Sequence, residues 1–145
     1  DNTFTIAENT IEVVEEFDPP EQIEAGQTIT KDVKVANVDT AQCYVRVFCD
    51  FSDSRAAGFA SLDYNTEDWT EPDADGWRYY KNILYNGDKT SSLITQIQIA
   101  EGVAAEDLID FDVLVVAESV QAKGSDGQMM DMKIAWSNFG ITAVE

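Results

Sequence analysis

The segment EAGQTITKDVKVANVDTAQCYVRVFCDF, residues 24–51, contains two strand patterns joined by a turn. In the first, Ile29, Val33 and Val35 take alternate positions with Thr28, Thr30, Asp32 and Lys34 between them, the period-two signature of a half-buried strand. Lys31 occupies an apolar slot in that series, where a long stem can lie along apolar surface while its ammonium reaches water. Asn37, Val38, Asp39 and Thr40 supply turn chemistry. In the second pattern Val45, Val47, Cys49 and Phe51 share one face, and Tyr44, Arg46, Phe48 and Asp50 share the other. The pair reads as the central ribbon of an antiparallel sandwich, and it carries no catalytic constellation.

The rest of the chain supports the same architecture. Phe4 and Ile6 alternate with Thr3 and Thr5, and after Glu8 and Asn9 the residues Ile11, Val13 and Glu15 face one way. Pro19 and Pro20 end that pairing by removing two consecutive N–H donors. Residues 54–62 suit a short helix capped by Ser54, with Phe59 and Leu62 inward. Residues 77–85 read as a strand, and Asn86-Gly87-Asp88 gives a hairpin signal. In the following strand Leu93, Thr95, Ile97 and Ile99 share a face. Residues 103–108 suit one or two helical turns. FDVLVVAESV, residues 111–120, is apolar on both faces and so expected at the centre of its sheet. Met129, Met132, Ala135, Trp136 and Phe139 recur at helical steps, with Gly140 to close the helix. The expected fold is all-β: one antiparallel sandwich domain over residues 1–145, jelly-roll-like with an Ig-like arrangement as second choice, carrying one or two short helices.

Composition removes whole classes of function. With 9 Lys and Arg against 28 Asp and Glu, the net charge is −19, which argues against nucleic acid and against anionic membrane surfaces as partners. No transmembrane run or lipidation motif is present, so no membrane insertion is expected. The polar segment opening at Asp1 suits either a cytosolic protein or the mature form of an exported precursor. The chain has no histidine, which removes the usual general base, the Ser-His and Cys-His nucleophile pairs and the commonest zinc ligand. Cys43 and Cys49 lie six residues apart on one strand, about 20 Å, too far for a disulfide. They read as free thiols.

Several groups merit weighing. Glu71, Asp73 and Asp75, followed by Gly76, present oxygen ligands of the kind calcium takes. The acidic ligand such a loop needs about six residues after the glycine is replaced by Asn82, so calcium is the one ion considered and no other cofactor is expected. Trp69 and Trp77, beside the acids of residues 67–77, suggest aromatic stacking on a sugar, but the strand periodicity of Trp77 makes it a core residue, and Trp69 is the one aromatic that no pattern places. Lys81 in an apolar slot is a candidate nucleophile, with a snorkelling edge lysine as the plainer reading. Met129, Met130 and Met132 suit either an adaptable docking surface or core packing.

The order of these stretches resembles a family. FTI near the start, EEFDPP, the AGQTITKDVKVAN and YVRV ribbon, Tyr85-Asn86-Gly87-Asp88, FDVLVVAESVQA and the late Ala135-Trp136 are similar to the TasA/camelysin group of exported Gram-positive proteins. The similarity is strongest over residues 26–47 and 111–122, and weakest over residues 52–76. The resemblance implies a secreted, non-enzymatic subunit of extracellular biofilm matrix or cell-surface fibres, associating with itself or with homologous surface proteins. It further implies assembly by passing an N-terminal strand, residues 1–14, to a neighbour, with Phe4, Ile6, Ile11 and Val13 as the inserting side chains. Physically this is β-strand addition. The metalloprotease label carried by some members does not transfer, because no H-E-x-x-H is present. The alternative reading is an extracellular calcium- or carbohydrate-binding module built on residues 67–77.

Overall fold

The computed structural model of the protein describes residues 11–39 and 41–144. Seven strands form two antiparallel sheets. They are β1 (Ile11–Phe17), β2 (Thr28–Asn37), β3 (Cys43–Phe51), β4 (Ala60–Leu62), β5 (Trp77–Tyr79), β6 (Ile94–Ile99) and β7 (Val113–Gln121). The four-stranded sheet has the order β1-β2-β6-β4 and the three-stranded sheet the order β5-β3-β7. The fold is the expected all-β sandwich. The expected central ribbon is not a paired one: β2 lies in one sheet and β3 in the other, and the turn between them carries the chain across the sandwich.

The core lies between the sheets. β2 contributes Ile29, Val33 and Val35, β3 contributes Cys43, Val45 and Val47, and β6 contributes Ile94, Ile97 and Ile99. A second, smaller core lies on the outer face of the three-stranded sheet. There α1 (Met132–Ser137) lays Ala135 and Trp136 against Tyr44, Tyr79 and Val120. Asp131 caps this helix by accepting from the Lys133 N–H, and Gly140 at φ +74° ends it, its N–H donating to Ser137 O at 2.9 Å. Only a residue tolerant of positive φ suits that position.

Several expectations are corrected. The 54–62 helix is a 3-10 helix at Ser54–Gly58 capped by Asp53, after which β4 begins. Residues 103–108 make a single 3-10 turn at Ala105–Asp107. β7 is an edge strand: it pairs with β3 alone, and Leu114 and Val116 are 51% and 50% exposed. The strand expected over residues 77–85 leaves the ladder after Tyr79 and rejoins β3 at Leu84, which exchanges both backbone hydrogen bonds with Cys43. The alternation expected in β6 fails because the β2–β6 register slips by one residue between Thr30 and Val33. Ile94 and Ile97 are thereby both buried, while Thr95 is exposed. Asp63 holds this bulge by accepting from the N–H groups of Thr95 (2.8 Å) and Gln96 (2.9 Å) and from the Thr95 hydroxyl.

Asn86 and Gly87 form a tight turn that joins the two sheets in place of a hairpin. On one side of it Leu84 bridges to Cys43 of β3, and on the other Lys89 bridges to Ala36 of β2. Asn37 clamps this corner from the end of β2. Its side-chain amide donates to Ala41 O at 2.8 Å and to Leu84 O at 3.0 Å, and its Oδ1 accepts from the Asp39 N–H at 2.9 Å. Its main chain donates to Asp88 O and accepts from the Gly87 N–H, each at 2.9 Å. Asn37 is buried, so losing its side chain orphans polar groups that water reaches poorly. Asn37→Ala is expected to destabilise the fold by about 2–3 kcal/mol, read from urea denaturation midpoints at unchanged slope; a loss below about 1 kcal/mol would show that the corner is held by other contacts.

Candidate functional site: the open side of the sandwich

The two sides of the sandwich differ. On one, the sheets end in β4 and β5, each three residues long, edges too short to template another strand. On the other, they end in β1, with seven residues, and β7, with nine. These two strands run beside each other without a ladder between them. β7 holds no proline or lysine, and its single charge, Glu118, is taken up by Arg46. A long, apolar, one-sided strand of this kind is an edge that other chains can pair with.

The slit between β1 and β7 is lined by side chains on the inward faces of both. β1 directs Ile11, Val13, Glu15 and Phe17 inward; Ile11 is buried, whereas Val13 and Phe17 remain 37% and 42% exposed. Val115 and Ala117 of β7 are half-buried against the main core. Ile11 and Val13, expected with Phe4 and Ile6 to insert into a neighbour, belong instead to this chain's own sheet, where they pair with Asn37 and Val35 of β2. Phe4 and Ile6 lie outside the described residues.

Lys31 belongs to this slit. It is 6% exposed, and its Nζ lies 2.9 Å from Glu15 Oε1 and 4.5 Å from the centre of the Phe17 ring. The lysine therefore does not snorkel to water as its sequence position suggests; the ion pair and the ring hold its ammonium inside. Cys49 of β3 faces the same region and feels the charges of both Lys31 and Glu15. Burial pushes the Cys43 and Cys49 thiols up to about 12, so neither is a nucleophilic thiolate at neutral pH.

The other candidates resolve into structural roles. Asp73 accepts from the N–H groups of Asp75 (2.9 Å) and Trp77 (3.0 Å) and from the Tyr79 hydroxyl (2.5 Å). Glu71 turns toward Arg78 at 3.8 Å. Among the described residues no three His, Cys, Asp or Glu side chains converge so as to hold a metal ion, and Glu71, Asp73 and Asp75 do not form a ligand set. Trp69 is 1% exposed and packs against Tyr80 at 5.0 Å, which removes it from sugar stacking. Trp77 is half-buried and stacked under the Arg46 guanidinium at 3.9 Å. Lys81 is exposed, its Nζ donating to Thr66 O at 3.2 Å. Met130 and Met132 pack on the second core, while Met129 is exposed.

A polar chain that sequence reading missed crosses the outer face of the three-stranded sheet. Arg46 donates to Glu118 Oε1 through Nε (2.8 Å) and Nη2 (2.5 Å), and through Nη1 to the Tyr79 oxygen at 3.2 Å. Tyr79 in turn donates to Asp73. The alternation of β3 placed Arg46 on that face, but nothing local indicated that the C-terminal helix would cover it.

These bonds set a pH dependence. Burial raises the Asp73 carboxyl, but the bonds from Tyr79, Trp77 and Asp75 outweigh it and leave the group below the usual carboxylate range. Asp63 behaves alike: burial is outweighed by the bonds from Thr95 and Gln96. A carboxyl lowered in the folded state stabilises fully above its unfolded value of about 3.9 and loses that contribution as pH falls through its folded value. The melting temperature is therefore expected to drop on the acid side of about pH 4, and Asp73→Asn to lower it at neutral pH while making the acid-side drop shallower. Parallel curves for the two proteins in calorimetry across that range would contradict the role given to Asp73.

No protein-family model, curated protein or solved structure matches the chain.

Proposed function

We propose that the protein is a non-enzymatic, extracellular structural subunit that assembles into surface or matrix fibres by β-strand addition. One observation carries this reading: the long edges β1 and β7 lie together on one side of the sandwich, with half-buried apolar side chains between them and no strand pairing them. An edge of this length presents a row of N–H and C=O groups, and a strand added there satisfies them while its alternate side chains enter the slit. Residues 1–10 join β1 at Ile11 and carry Phe4 and Ile6 in alternation with threonines, the pattern such an incoming strand requires. The resemblance to the TasA/camelysin group supports export and a matrix role. The acidity of the chain, net −19, suits a subunit that stays soluble until specific pairing begins.

The reading predicts that the intact chain forms oligomers or fibres in light scattering and negative-stain microscopy, whereas Phe4→Asp combined with Ile6→Asp stays monomeric. Calcium is expected to change neither result. A monomer from the intact chain across concentration, pH and calcium would overturn the proposal.

A further inference from the structure

The end of the sandwich where β1 stops and β7 begins carries a trough of mixed character. Its first part, of about 230 Å³, is lined by the buried Ile29 and Ile97 and by Phe17, Pro20, Ile23 and Phe111. Phe17 keeps 42% of its surface exposed there. Glu21, Gln22, Asp110 and Asp112, all exposed, form the polar rim. A second cleft, of about 320 Å³, shares Glu21, Gln22, Ile23 and Asp110 with the first and continues past Leu108 and Ile109. The first part is smaller than the roughly 300 Å³ at which sites for free small molecules begin. It has room for one side chain, and the second cleft gives space to the chain that carries it.

The charge of the rim decides what fits. Glu21, Asp110 and Asp112 form no ion pair among the described residues, and the segments that build the trough supply no cation to offset them. All nine basic residues of the chain lie at positions 31–89, 123 or 133, whereas residues 17–30 hold three acids and residues 101–112 hold five. The basic side chains on adjoining elements are already engaged, Lys31 with Glu15 at 2.9 Å and Arg55 with Asp53 at 2.7 Å. Carboxylates beside hydrocarbon favour an occupant that brings apolar surface and positive charge together. A bare metal ion does not meet that description, because no three acidic side chains converge to hold one among the described residues. Nor does a second copy, which approaches with a net charge of −19.

We infer that this trough docks a segment of a partner protein in which one apolar side chain is flanked by lysine or arginine at alternate positions. In an extended segment, residues two apart point to one side. The apolar side chain enters over Ile29 and Ile97, and the basic groups before and after it meet Glu21 from one segment of the trough and Asp110 and Asp112 from the other. The anchor in the pocket supplies most of the affinity. The ion pairs, exposed at the rim, add less to affinity and select the partner by charge. The inference does not rest on strand addition, since residues 17–29 and 97–112 build the trough by themselves.

The test titrates three fluorescent heptapeptides against the full chain by anisotropy. The first has lysine, leucine and lysine at its second, fourth and sixth positions and glycine elsewhere; the second has serine in place of leucine; the third has glutamates in place of the lysines. The first is expected to bind, and the other two at least about tenfold more weakly. Asp110→Lys combined with Asp112→Lys, both at exposed positions, should weaken the first peptide about tenfold and admit the third. Melting curves establish that this variant is folded, and the three peptides on the unmodified chain decide the matter if it is not. Equal binding of the leucine and serine peptides, or no binding of the first, would overturn the inference. Unchanged affinities in the charge-reversed chain would do the same. Light scattering covers the remaining occupant: an oligomer that dissociates on charge reversal, with no peptide bound, would assign the trough to a second copy and overturn the partner proposed.

Discussion

After β2 the chain passes between the two sheets at every connection, and the β2–β3 and β5–β6 passages meet at one corner held by the hydrogen bonds of Asn37. The residue ends β2, yet its amide reaches the carbonyls of Ala41 and Leu84 on the side of β3, and its main chain binds the turn at Gly87 and Asp88. A buried carbonyl left without a donor costs more than a formed bond returns, so the corner accepts few other side chains. An aspartate lacks the donors, and a leucine lacks both donors and acceptor. With the corner fixed, β2 and β3 cross the sandwich in one relative position, and the faces of Val33 and Val35 meet those of Val45 and Val47.

Placing β2 beside β1 and β3 beside β7 brings the two longest outer strands to the same side, while β4 and β5, each a three-residue pairing, close the other. Exposed edges are usually blunted by charge, proline or brevity. β4 and β5 use brevity, and β1 carries Glu12, Glu15 and Glu16. β7 uses none of these along nine residues. The unprotected edge thus lies beside a strand that continues directly from residues 1–10.

Much of this was legible in the residues. The face assignment of β3 held throughout, because its alternation is uninterrupted and both faces find cores. β7 was misplaced for a related reason: apolar residues on both faces normally mark a central strand, but here the outer face is covered by α1 only around Val120, and Leu114 and Val116 are exposed. Asn86-Gly87 was rightly read as a turn and wrongly as a hairpin, since local chemistry fixes the reversal and not which sheet receives each arm. The bulge that buries both Ile94 and Ile97 depends on Asp63, more than thirty residues away, and no local period reveals it. Trp69 could not be placed for the same reason, as its partner Tyr80 lies across a loop.

The candidate site was half legible. Lys31 announced itself as the residue that breaks the β2 alternation, but its burial depends on Glu15 and Phe17 from a strand whose pairing the sequence did not specify. Stability does not account for its presence. Two charges withdrawn from water regain little more than their desolvation, and apolar replacements of similar volume are often neutral or better. Interior charges are best attested where they distinguish one register from another, as polar residues do in coiled coils.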